Sequence, residues 1–149
     1  VSFIYDGDYS DSIGAGPGPG GSAEIEQVFQ TYFNARGVPF KGTDFSGRSD
    51  YGPFIAAGIP AGGLFTGAEG IKTAEEAALF GGTAGVAYDP CYHQACDRWS
   101  ATWDLSGAVQ DLTLVYQMAG QLANSRAWPQ WNPGSEFKAV RDSTVAQRK

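Results

Sequence analysis

Apolar positions recur at helical spacing in two long stretches of the chain and crowd together in three short ones. Between Ser22 and Arg36, the side chains of Ile25, Val28, Phe29, Tyr32 and Phe33 share one face of a 3.6-residue repeat. Ser22 can cap this helix. Glu24 and Glu26 sit in its first turn, where the helix dipole favours negative charge, and Gly37 ends it after Arg36. Between Ser106 and Ala123, a second stripe of Val109, Leu112, Val115, Tyr116, Ala119 and Leu122 is expected to be buried. Val1 to Tyr5, Val38 to Lys41 and Ile59 to Phe65 read as strands, the last with paired glycines that predict close packing against a neighbouring backbone. A short helix is expected after Ser49 or Asp50, ending at Gly58. Another follows Thr73-Ala74-Glu75-Glu76, a capping box in which Thr73 and Glu76 satisfy each other's backbone amides, and it stops at Gly81-Gly82.

Helices that alternate with short strands predict an α/β domain with helices packed on a central sheet. A strand at the very first residues is an abrupt start, so the folding unit is expected to begin upstream of Val1. Asp6 to Ser22, rich in Gly and Pro, has neither helical nor strand period and reads as a loop. The domain is placed at residues 1–126. From Ala127 the composition shifts, and Trp128-Pro129-Gln130-Trp131-Asn132-Pro133-Gly134 is incompatible with a helix. Residues 127–149 are expected to form a tail that wraps over the domain or is partly disordered.

Bulk properties narrow the function classes. A chain of 149 residues suits one domain with a real core. Its formal net charge of −6 and the absence of a basic stripe argue against nucleic acid as a partner. No apolar run approaches the roughly 18 residues of a membrane span, so no membrane role is expected. The 21 glycines, about twice the usual share, imply many turns.

Four clusters could carry chemistry. Asp6, Asp8 and Asp11 hint at calcium, although their spacing lacks the closing Glu of an EF-hand and a solvated turn accounts for them as well. Gly47 beside Arg48 would let backbone approach a ligand, while Arg48 with Asp50 also fits a surface ion pair. Adjacent Glu75 and Glu76 have the chemistry of a base and a metal ligand, but helix capping already explains them. The richest stretch is Asp89-Pro90-Cys91-Tyr92-His93-Gln94-Ala95-Cys96-Asp97, which holds the only histidine and both cysteines. The cysteines either close a small loop as a disulfide, which fits a secreted protein, or are reduced and buried. Tyr92 has the phenol needed to hydrogen-bond a developing oxyanion. A lone histidine is more often structural or merely exposed, but this one lies in a loop next to that phenol.

Gly47 to Phe54, Ile59 to Gly67, and Gly81-Gly82-Thr83-Ala84-Gly85 leading into Asp89-Pro90-Cys91-Tyr92-His93 together resemble the C-terminal half of secreted bacterial zinc aminopeptidases, the streptomycete-type enzymes of peptidase family M28. The likeness runs from about Phe3 to Leu122. It implies a three-layer α/β/α sandwich with a mixed central sheet, of which this chain is the C-terminal portion. It implies an extracellular enzyme that uses two Zn²⁺ ions to hydrolyse the N-terminal peptide bond of peptides, with a preference for large apolar N-terminal residues. On the matching positions His93 would be one zinc ligand and Tyr92 the group that polarises the scissile carbonyl. Cys91 and Cys96 would form a disulfide, and Gly47, Arg48 and Phe65 would line the pocket for the first side chain. The His-x-Asp motif, the Glu-Glu pair and the bridging Asp of the family precede its equivalent of Val1 and have no counterpart here. A single histidine falls short of the three or four protein ligands of one zinc site. The resemblance therefore implies that the N-terminal half of the same enzyme, as a separate chain, completes the domain and the metal site. The competing expectation is a truncated fragment, or a metal-free interaction domain derived from such an enzyme.

Overall fold

A computed structural model describes residues 1–5, 23–45, 47, 49–126 and 128–147. The acidic cluster Asp6, Asp8 and Asp11, the proposed cap Ser22, and Arg48 lie outside the described residues.

Strand β1 (Phe3–Tyr5) is the centre of a three-stranded mixed sheet of order β2-β1-β3. Strand β2 (Lys41–Thr43) runs parallel to it with Phe3 opposite Lys41, and β3 (Leu64–Phe65) runs antiparallel with Phe3 opposite Phe65. Both outer strands begin later than their apolar runs. Val38 and Phe40 pack onto the core as a lead-in to β2, where pairing with β1 sets the register. Ile59 and Pro60 precede β3, and proline has no amide to give a ladder. A Cβ on Gly62 would lie 2.6 Å from Cγ2 of Ile25, so that glycine is packed closely, but against a helix side chain rather than a neighbouring backbone.

Strand alternation splits β1 between two environments. Ile4, fully buried, faces helix α1 (Ala23–Arg36) and helix α4 (Ser106–Asn124), in a cluster with Ile25, Phe29, Phe33, Leu114 and Met118. The stripe expected on α1 is there, with Val28 and Tyr32 at its edges. Gly37 ends the helix with φ of 62°, and its amide donates to the Asn34 carbonyl. On the other face, Phe3 meets Phe80 of helix α3 (Ala74–Phe80) at 5.6 Å, and Tyr5 meets Tyr51 of helix α2 (Tyr51–Ala56) at 5.0 Å between ring centroids. Helices thus flank both faces of a mixed sheet, which is an α/β fold. Helix α3 carries the expected capping box: the Glu76 amide donates to Thr73 Oγ1, and the Thr73 amide donates to Glu76 Oε2.

Helix α4 corrects one expectation. Its buried residues are Leu114 and Met118, whereas Val109, Leu112 and Tyr116 are 60%, 68% and 81% exposed. The helix is apolar on two sides, and burial requires a partner. Helix α1 covers only the side that carries Leu114, Met118 and the partly buried Leu122. Ser2 Oγ, donating to Asp111 Oδ1 at 2.9 Å, helps fix that orientation. Apart from Leu122, the stripe read as core is therefore an open surface.

The C-terminal stretch packs onto the domain. Trp131 is 3% exposed and joins Phe45, Tyr51 and Ile55 in a second buried cluster. A further short helix, α5 (Lys138–Ser143), lies beyond the Pro-containing run and leads into a 3₁₀ turn at Val145–Gln147. Its one buried residue, Arg141, donates from Nη2 to the Pro129 carbonyl at 3.3 Å.

Candidate active site

The Asp89–Asp97 loop is held by an arm of paired backbone that leaves β3. The Asp89 amide donates to the Ala68 carbonyl, Tyr88 to Gly70, Lys72 to Val86 and Gly85 to Lys72, all at 2.8–3.0 Å. Gly67, with φ of 101°, lets the Tyr88 ring lie directly against the backbone, where any side chain would collide with that ring. Tyr88 also meets Phe3 edge-on at 5.3 Å. The arm thereby connects the sheet to the loop through aromatic packing as well as hydrogen bonds.

Within the loop, Asp89 Oδ1 accepts from the Cys91 amide at 2.9 Å, and the Cys91 carbonyl accepts from the Gln94 amide at 2.9 Å. Cys91 and Cys96 form a disulfide with their Cα atoms 5.3 Å apart. His93 has φ of 55°, an uncommon conformation for a residue with a side chain. Its ring stacks on that of Tyr92, with centroids 4.0 Å apart and planes at 17°. His93 is exposed, whereas Tyr92 is half-buried.

Tyr92 lines a cavity of about 220 Å³ with Tyr5, Thr43, Asp44, Phe65, Ala68 and Glu69. Tyr5 and Thr43 are the last residues of the parallel strands β1 and β2, so the cavity opens at their carboxyl ends, where α/β sheets most often bind ligands. Aromatic rings give it apolar walls, and Asp44 and Glu69 bring two carboxyl groups. A larger groove of about 540 Å³ runs between α1 and α4, lined by Val28, Tyr32, Leu114 and Met118 among others. It is a helix seam on the Ile4 side of the sheet, away from the loop.

The sequence candidates therefore separate. Tyr92 and Phe65 meet in one cavity, and His93 stacks beside it. Gly47 does not line the cavity. Its amide instead donates to the Tyr51 hydroxyl at 2.6 Å, behind the wall formed by Tyr5. Arg48 lies outside the described residues. Sequence reasoning missed Tyr5, Thr43, Asp44, Ala68 and Glu69. The first three end or follow strands that pair in parallel, and that pairing has no local signature in the sequence.

Glu75 and Glu76 stand apart from the cavity lining. Glu76 bonds Lys41 Nζ at 3.3 Å, and its carboxyl is held down to about 2, first by the Thr73 amide and then by Tyr88 and Lys41, against the opposing effect of burial. The Tyr88 hydroxyl is buried beside it without a hydrogen bond of standard geometry, and burial, then the Glu76 carboxylate, pushes that phenol up.

Among the described residues, no group of three or more His, Cys, Asp or Glu side chains is arranged to hold a metal ion. His93 offers one imidazole, and the two sulfurs are committed to the disulfide. These residues fit one ligand position of a zinc site and do not by themselves make one. No described helix is long and apolar enough to cross a membrane.

Comparison with known proteins identifies the arrangement. An aminopeptidase of Pseudomonas aeruginosa (strain UCBPP-PA14) is 58% identical over 96 residues, covering 64% of this chain and 18% of that protein. Leucine aminopeptidase 2 of Arthroderma otae is 60% identical over 90 residues, covering 60% of this chain and 18% of its own length. A probable leucine aminopeptidase 2 of Aspergillus fumigatus is 58% identical over 96 residues, covering 64% and 19%. The chain thus spans under a fifth of the length of the curated relatives it matches. Residues 7–117 match the peptidase family M28, and since that match takes in the cavity wall from Thr43 to Tyr92 together with the clamped loop, the chain belongs to this family.

Proposed function

We propose that this chain is the part of an extracellular aminopeptidase that receives the N-terminal residue of a peptide. The observation that carries this reading is the Tyr92 cavity: a small, aromatic-walled space at the carboxyl ends of two parallel strands, beside a clamped loop that presents an imidazole. Its size suits one apolar side chain. Phe65 and Tyr5 would contact that side chain, and Asp44 and Glu69 give the same space a charge suited to the substrate's ammonium group. Gly47 would act from behind through Tyr51, and Arg48, as the family resemblance implies, would line the pocket for the first side chain.

The Tyr92 phenol is the group we assign to the chemical step. As the carbonyl carbon becomes tetrahedral, its oxygen gains negative charge, and a fixed O–H donor is worth more there than in the ground state. Packing of the phenol on the His93 ring holds it in place without moving a proton. His93 would occupy one ligand position of a di-zinc centre whose other ligands come from outside this chain. Bound zinc would supply Lewis acidity at the scissile carbonyl and an activated water.

Completion by the N-terminal half of the same enzyme is part of the proposal. The open stripe Val109, Leu112 and Tyr116 on α4, the exposed Trp99–Trp103 pair and the outer edges of β2 and β3, which among the described residues have no further strand beside them, are surfaces that a folded domain covers. The disulfide favours an oxidising, extracellular setting.

Metal analysis together with intact mass on the purified active material tests this reading. About two zinc ions per particle and a polypeptide beyond this chain are expected, with release of leucine from leucyl peptides. A single metal-free chain of 15.8 kDa that releases none would overturn it in favour of a non-catalytic interaction domain.

A further inference from the structure

The matched region ends at residue 117, yet the second buried cluster is completed by a side chain beyond it. Trp131 is 3% exposed, its Nε1 donates to the Gly58 carbonyl at 2.8 Å, and its ring lies 5.2 Å from that of Phe137. The cluster it joins contains Phe45 and Tyr51. Those two rings are 4.3 Å apart, and both meet Tyr5, at 5.7 and 5.0 Å. Tyr5 and Asp44, the neighbour of Phe45, line the Tyr92 cavity. Tyr51 also accepts the Gly47 amide. Contacts therefore run unbroken from Trp131 to the cavity wall.

The segment is seated tightly. Gly58 has φ of 76°, and a Cβ there would lie 2.6 Å from the backbone nitrogen of Arg141. Helix α5 therefore packs on a spot where only glycine fits. A loose tail would need neither a fitted glycine nor a buried indole bonded to the scaffold.

We propose that residues 128–147 form a strap that sets the shape of the substrate cavity, with Trp131 as its positioning residue. The inference deepens the aminopeptidase reading and rests on it for its kinetic consequence, while its structural consequence stands alone. Trp131 touches no substrate. It fixes Phe45 and Tyr51, which fix Tyr5. Loss of Trp131 should loosen the wall that meets the apolar side chain and leave Tyr92 and His93, held by the separate Ala68–Asp89 arm, in place.

The test uses the complete enzyme, meaning this chain with whatever completes its metal site. Trp131→Ala should raise KM for leucyl substrates about tenfold with kcat within about twofold, the signature of lost substrate binding rather than lost chemistry. Trp131→Phe, which keeps a ring but not the donor, should recover most of that loss. Amide hydrogen exchange supplies the structural arm. The Tyr5 and Gly47 amides should exchange about tenfold faster in Trp131→Ala, while Phe29 and Phe33 in α1 stay at wild-type rates. Unchanged exchange at Tyr5 and Gly47 overturns the proposal, as does a fall in active fraction with KM unaltered. If the wild-type enzyme releases no amino acid, the aminopeptidase reading fails and the exchange comparison decides the strap by itself. If Trp131→Ala does not fold, exchange in Trp131→Phe decides it on the same two amides.

Discussion

On one side of β1, Ile4 meets Ile25, Phe29 and Phe33 from α1 and Leu114 and Met118 from α4. On the other, Phe3 and Tyr5 meet Phe45, Tyr51, Phe65, Phe80 and Tyr88, drawn from β3, turns and short helices. The first side is made by two long helices, and its side chains nest by helical spacing. The second is made by rings that meet edge to face, tilted or, for Tyr5 and Phe65, stacked, and by glycines that let backbone come close. Only the second side carries the Tyr92 cavity. A helical face supplies stability at low positional cost, whereas a cavity needs short connections that can each be aimed separately.

If this division is right, stability and activity should separate by face. The largest effect on stability is expected from Phe33→Ala. Phe33 is fully buried, and removing its ring should cost about 3–5 kcal/mol. Denaturant melts would show this as a lower midpoint with the disulfide intact. A loss below about 1 kcal/mol would mean that α1 is not the main source of stability. Tyr92→Phe is its counterpart on the other face. It should lower kcat about 100-fold with KM and melting nearly unchanged, as for removal of one oxyanion donor. An unaltered kcat would remove Tyr92 from the chemistry.

Gly67→Ala should fall between the two in kind. The position has positive φ and lies under the Tyr88 ring, so a methyl group must displace that ring or the turn. The strain should cost about 1–3 kcal/mol, and because Tyr88 leads directly into the loop, kcat/KM should drop with it. Gly37→Ala, also at positive φ but with nothing within 4 Å of its Cβ position, is the control. It should lose stability alone. If both variants behaved alike, the aromatic arm would not be guiding the loop.

The helical side was the more legible in sequence for the same reason that it is stable. Ile25, Phe29 and Phe33 repeat at a period that names their face, and Gly37 and the Thr73–Glu76 box are local signals read without knowing the partner. The stripe on α4 misled because periodicity shows that a face is apolar but not what covers it. Helix α5 was missed because the Pro-containing run before it masked a short helical segment with no stripe of its own. On the cavity side, Tyr92 and His93 stood out in the loop between the two cysteines, and the resemblance gave them roles and added Phe65. Tyr5, Asp44 and Glu69 are brought together by parallel pairing and a turn, across 64 positions of sequence, and no local pattern announces that.

Glu76 ties helix α3 to the sheet, since its helix packs on the aromatic face while its ion pair reaches β2, and it gives the smallest and most specific test. Its carboxyl is held down to about 2 from an ordinary 4.5, chiefly by the Thr73 amide at the start of α3. A group whose folded pKa is depressed contributes stability that is present above its unfolded pKa and is lost as pH falls toward the folded one. Glu76 should therefore stabilise the fold at neutral pH and stop doing so between about pH 4.5 and pH 2. The carboxylate is partly in contact with water, with 13% of the side chain exposed, so screening brings the contribution to about 1 kcal/mol. Glu76→Gln retains an oxygen that can accept the Thr73 amide but removes the charge. The variant should be less stable than wild type at pH 7, and the gap should close as both are taken to pH 2. Urea melts across that range would show two curves converging at acid pH. A gap that stays constant would mean that Glu76 acts through the geometry of the cap alone, without its charge.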